Sequence, residues 1–147
     1  MPYKSDDIKL LLPAMQVKVQ ALLDVLTAQG FKPVLFDGMR TAAEAAKNAA
    51  KGAGVIDSMH LYGAAADLIC ADHGWNCDKH GCKFFKALVP AAEELGFVSG
   101  YYFRKVDTCH VQGLRVSDQQ RMRDLGKGPE NATKRNAIVA AFFARKR

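Results

Sequence analysis

A short apolar run with an aspartate in its middle, Gly63-Ala-Ala-Ala-Asp67-Leu-Ile-Cys70, sets the tightest limit on how this chain can fold. Read as a strand, its side chains alternate, so Ala65 and Asp67 share one face and Leu68 points to the other. Small residues on the Asp67 face leave room for an ion beside the carboxylate. Upstream lies Ser58-Met-His60, and the whole stretch reads S-x-H-x-x-G-x-A-x-D. His60 then comes from the loop before the strand, with Gly63 allowing a sharp turn.

A second fragment, Asp107-Thr-Cys-His110-Val-Gln112, follows about forty residues later. It opens another short run, in which His110 and Gln112 share a face. Together the fragments hold two histidines and two aspartates. A catalytic zinc takes three protein ligands and keeps one position for water, so the set suffices for three ligands and one general base. Asp107, three residues before His110, is close enough to share the site without being a ligand. Taken singly, a histidine near an aspartate is usually a surface pair or a satisfied core group, and short motifs carry false positives. A His2Asp set also suits divalent ions other than zinc.

The two fragments, with Gly38-Met-Arg40-Thr41 upstream, resemble the bacterial and phage cell-wall zinc metallopeptidases. That family comprises D-alanyl-D-alanine carboxypeptidases and L-alanyl-D-glutamate endopeptidases and shares a fold with hedgehog domains. The resemblance runs from about residue 10 to about residue 115. It implies zinc bound by His60, Asp67 and His110, with Asp107 as catalytic base and Arg40 and Ser58 contacting a substrate carboxylate. Arginine suits that role because its planar guanidinium grips a carboxylate with two hydrogen bonds. Carboxypeptidase members mostly have Glu where Asp107 stands, and an Asp there looks more like the phage endolysin branch. Two departures are visible: Ala45 stands where many relatives have Gln, and Ser99-Gly100-Tyr101-Tyr102 replaces their Trp-Gly.

A chain of 147 residues reads as one domain, here a peptidase domain spanning residues 1–147 with a basic C-terminal helix at about 131–147. No run of 18 apolar residues marks a transmembrane helix. The N-terminus lacks the basic start and apolar core of a signal peptide. The expectation is a protein made in the cytoplasm that reaches the wall, in the host periplasm, only after release, as a phage holin would allow. The formal charge of +6 favours polyanions such as nucleic acid, anionic lipid or cell wall, or serves solubility alone. Part of the excess is local, in Lys134-Arg135 and Arg145-Lys146-Arg147. There is no nucleic-acid motif. The partner implied by the resemblance is the peptidoglycan stem peptide, acted on by a monomer.

Hydrophobic spacing predicts a first helix from Pro13 to about Gln29, with Met15, Val19, Leu22, Leu23 and Leu26 on one face and Gly30 at its end. Phe31–Phe36 reads as a strand delivering Arg40, and Thr41 as the cap of an alanine-rich helix to about Lys51. Lys83–Leu95 reads as a helix, Phe97–Phe103 and Val106–Leu114 as paired strands. Ser117 is expected to cap a helix through Leu125, before the final one. The fold class is α+β: a small, mainly antiparallel sheet with helices around it. Cys70, His73, Cys77, His80 and Cys82 form an unexpected segment. It reads as ordinary thiols, as a Cys77–Cys82 disulfide once the protein leaves the cytoplasm, or as a second zinc site that matches no finger template closely. Cys109 is expected to face the core, away from the metal.

Three functions follow from these readings. The first is a zinc L-alanyl-D-glutamate endopeptidase acting as an endolysin, and the second a D-alanyl-D-alanine carboxypeptidase. The third is a non-catalytic, zinc-stabilised wall-binding module, against which Asp107 argues because a pure binder needs no base.

Overall fold

The computed structural model describes residues 8–37 and 58–145. Arg40 and the helix expected after Thr41 lie outside the described residues. Among these there are four α-helices and one four-stranded sheet: α1 (Pro13–Ala28), β1 (Pro33–Asp37), β2 (Ala65–Cys70), α2 (Phe84–Glu94), β3 (Val98–Ser99), β4 (His110–Gln112), α3 (Gln119–Leu125) and α4 (Ala132–Ala144). The strand order is β1-β2-β4-β3, and every pairing is antiparallel. This is the expected α+β class.

Helix α1 starts with Pro13 in its first turn, where the missing N–H costs nothing. Its buried stripe of Met15, Val19, Leu22 and Leu26 faces a core shared with Phe84 and Leu88 of α2 and Ile138 and Val139 of α4. The sheet lies against these helices. All six residues of β2 are buried, so this strand is covered on both faces. An unpaired carboxylate in such a strand would be costly, and the partners of Asp67 are described below.

The expected hairpin of two long strands is corrected. Only Val98–Ser99 and His110–Gln112 pair, with Val98 opposite Gln112 and Ser99 opposite Val111. After Ser99 the chain enters a 3-10 turn at Gly100–Tyr102, capped by the Ser99 hydroxyl, which accepts from the Tyr101 amide at 3.1 Å. The returning segment then folds directly over Gly100. The Asp107 amide donates to the Gly100 carbonyl at 2.9 Å, and a β-carbon at Gly100 would collide with the Asp107 carbonyl and the His110 β-carbon. Side-chain capping and this close approach end the ladder early.

The last helix is also shorter than expected. It ends at Ala144, and Arg145 turns back, its guanidinium 3.5 Å from the centre of the Phe142 ring and donating to the Gly96 carbonyl at 3.1 Å. Arg135 is buried and donates to the carbonyls of Gly126 and Gly128 at 2.7 and 2.8 Å. Both arginines are therefore committed to holding chain segments together, which narrows the local basic excess read from the sequence. Ser117 does not cap α3: it lies inside a 3-10 turn, Val116–Asp118, that leads into the helix.

Candidate metal centre

Strand pairing builds the site. In the β2–β4 ladder Asp67 stands directly opposite His110, and Ala65 opposite Gln112. Opposed residues project to the same face, so carboxylate and imidazole become neighbours although 43 positions separate them. Ala65 beside them keeps that face open.

His60 arrives from a 3-10 turn, Met59–Tyr62, immediately before β2. The Ser58 hydroxyl accepts from the His60 amide at 3.2 Å and caps this turn. Gly63 closes it at φ +73°, in the left-handed region. A β-carbon there would also press on the Leu12 backbone nitrogen at 3.1 Å, the same nitrogen that donates to the Gly63 carbonyl. Turn, cap and glycine together fix where His60 points.

His60 Nε2 and His110 Nδ1 each lie 3.3 Å from Asp67 Oδ1. The three donor atoms lie within 4.8 Å of one another, and all three residues are buried. The two rings meet edge-on, 5.1 Å between centres, and Phe103 lies 5.2 Å from His110. Asp107 differs: its side chain is half exposed, with Oδ2 4.0 Å from His110 Nδ1. The arrangement is thus a buried triad with a second carboxylate at its rim.

The hydrogen bonds around Gln112 define how His110 can act. The Gln112 side-chain amide donates to the Leu114 carbonyl at 3.0 Å, which turns its oxygen toward His110 Nε2 at 2.9 Å. Gln119 donates to the same oxygen at 3.4 Å. An amide oxygen only accepts, so Nε2 carries a hydrogen, and Nδ1 faces Asp67, donating to it when protonated and offering its lone pair to a metal ion when not. A lone pair 3.3 Å from a carboxylate oxygen requires a positive charge between them, a proton or a metal ion. Burial alone would raise the Asp67 carboxyl; the His60 charge and hydrogen bonds from His110 and His60 outweigh it and hold the group well below the usual carboxylate range. Two imidazole nitrogens and one carboxylate oxygen match the donor set of a three-ligand catalytic zinc, so His60, Asp67 and His110 could hold such an ion.

Cys109 departs from expectation. It is buried, but its thiol donates to Asp107 Oδ1 at 3.2 Å, at the edge of the site. Burial and the Asp67 and Asp107 charges push this thiol upward, so it remains a neutral donor that orients the rim carboxylate. No spacing pattern announces that role. The support from Gln112, in contrast, is foreshadowed by the period-2 relation of His110 and Gln112. Of the other expected site residues, Ser58 is buried beside His60, and Arg40 lies outside the described residues.

Residues 51–113 match the model of a peptidase family described as D-alanyl-D-alanine carboxypeptidase, Peptidase M15. That segment contains His60, Asp67, Asp107 and His110. The fold is similar to that of the Serratia marcescens L-Ala D-Glu endopeptidase ChiX, with a TM-score of 0.55 at 20% identity, covering 76% of this chain and 86% of that one. No curated protein matches the chain. The segment that carries the triad is thus similar to a D-alanyl-D-alanine carboxypeptidase family, and the fold is similar to that of an L-Ala D-Glu endopeptidase.

Proposed function

We propose that this peptidase is a zinc-dependent peptidoglycan hydrolase that cuts the stem peptide between L-alanine and D-glutamate. The observation carrying this reading is the buried His60–Asp67–His110 cluster with Asp107 half exposed at its rim. The aspartate at position 107, rather than glutamate, supports the endopeptidase. A bound zinc would supply a Lewis acid and an activated water. Asp107 accepts the water's proton and returns it to the leaving amine. Cys109 orients Asp107, and Gln112 holds His110 in the tautomer that turns Nδ1 inward. Arg40 and Ser58 hold a free carboxylate of the stem peptide.

The biological setting we infer is that of a phage endolysin, made in the cytoplasm and acting on the wall after release. Among the described residues no helix is long and apolar enough to cross a membrane. The family description favours a second reading, a D-alanyl-D-alanine carboxypeptidase. Digestion of purified sacculi with mass analysis of the new termini separates them. Loss of a terminal alanine means the carboxypeptidase; new D-glutamate amino termini mean the endopeptidase; no new termini reject both.

Two substitutions probe the supporting parts. Gln112→Met keeps the bulk but removes the acceptor for His110 Nε2. Zinc affinity, measured by chelator competition, is expected to fall about 10- to 100-fold, the usual effect of losing such an outer partner. Unchanged affinity would mean His110 is oriented by packing alone. Arg40→Ala should cripple turnover while zinc stays bound, with Arg40→Lys a poor rescue because an ammonium lacks the two-pronged contact. Wild-type kinetics in Arg40→Ala would remove that residue from the site.

A further inference from the structure

Beyond β2 the chain makes an excursion, residues 71–81, that has almost no apolar content of its own. Ala71, Asp72, Trp75, Asn76, Asp78, Lys79, His80 and Gly81 are all exposed. Its only wholly buried side chain is that of Cys77. Yet the excursion is sharply folded. The Gly74 amide donates to the Cys70 carbonyl at 2.7 Å, and the Cys82 amide to the Cys77 carbonyl at 2.9 Å, across a left-handed Gly81 (φ +71°).

These turns bring three sulfurs together. The Sγ atoms of Cys70, Cys77 and Cys82 lie within 4.8 Å of one another, those of Cys70 and Cys82 4.0 Å apart. All are free thiols. A tetrahedral zinc with Zn–S bonds of about 2.3 Å separates its sulfurs by about 3.8 Å. The cluster is therefore already close to ligand spacing, whereas a disulfide needs about 2.05 Å and would leave the third thiol over. His73 and His80 belong to the same excursion, their rings stacked with centres 4.3 Å apart.

We propose that Cys70, Cys77 and Cys82 form a second, structural site for a thiophilic divalent ion such as zinc, separate from the His60–Asp67–His110 cluster. Its fourth position is completed by water or by one of the two imidazoles. On binding, each ligating thiol releases its proton to solvent, and three thiolates take the ion. A dication offsets the cost of placing three thiolates side by side in a buried setting. The ion would replace the missing apolar core, tying the excursion to the end of β2. It would also hold Trp75 against Phe36, whose rings meet edge-on at 5.0 Å.

Metal analysis of protein purified without chelator tests this. The wild type is expected to carry about two zinc equivalents, Cys77→Ser about one, and His60→Ala about one. The His60→Ala arm leaves the three thiols intact and so reads the second site even if Cys77→Ser folds poorly. Cobalt substitution adds a signature: thiolate-to-cobalt charge transfer in the near ultraviolet, present in wild type and His60→Ala and absent from Cys77→Ser. The His60–Asp67–His110 set has no thiolate and cannot produce that band. A single zinc in wild type with no cobalt–thiolate band overturns the proposal, whether the thiols titrate as free or as a disulfide. If His60→Ala keeps one zinc and the band while wild type shows no peptidase activity, the second site stands and the catalytic reading fails.

Discussion

Asp107→Asn is expected to be folded, to retain its zinc and to be nearly inactive on purified sacculi. The amide is almost the same size as the carboxylate, and the side chain is half exposed, so stability should change by no more than about 0.5 kcal/mol, as for most surface substitutions. The amide cannot accept a proton. Loss of a positioned general base typically costs on the order of 100- to 10,000-fold in rate, and the fall should appear in kcat. The division of roles rests on exposure: Asp107 is half exposed, whereas His60, Asp67 and His110 are all buried. Loss of zinc in this variant would make Asp107 a ligand. Wild-type lysis would place the base elsewhere.

Replacing either His60 or His110 with Ala is expected to abolish metal at the triad and activity together. Each supplies one of only two nitrogen donors, and both flank the same Asp67 oxygen at 3.3 Å. A Lewis acid is worth several kcal/mol of transition-state stabilisation. At about 1.36 kcal/mol per tenfold, the expected loss is about three orders of magnitude or more. The same substitutions change the metal-free protein. With one imidazole gone, burial weighs more heavily on Asp67 and its carboxyl rises. In the intact protein the depressed carboxyl contributes stability that is present above the unfolded carboxyl pKa and lost as pH falls through the lower folded value. The variants should therefore show a weaker acid dependence of stability, read from chemical denaturation of chelated protein across pH. Triad zinc retained in both variants would reject the ligand set.

The elements legible from sequence are those fixed by local periodicity. The stripe of Met15, Val19, Leu22 and Leu26 defines α1 because helical geometry alone puts those residues on one face. The alternation around Asp67 shows which residues share its side of β2, since the period of a strand is two. Strand length was not legible. The segments around Val98 and Val111 carry adequate apolar residues, but the Ser99 cap and the approach of Asp107 over Gly100 stop the ladder. Both depend on a segment returning from elsewhere.

Side-chain fate at a distance belonged wholly to the tertiary structure. Arg135 reads as a surface charge until the turn carrying Gly126 and Gly128 wraps its guanidinium. Cys109 reads as core until Asp107 folds within reach of its thiol. The sequence by itself determined which residues carry metal-binding chemistry and which face of β2 offers a place for it, because residue type and strand period are local properties. Only the tertiary structure decided that His110 lies opposite Asp67, that Gln112 turns Nδ1 inward and that three cysteine sulfurs meet beyond β2. Those outcomes depend on strand register and loop closure, which join residues whose positions along the chain leave their distance in space open.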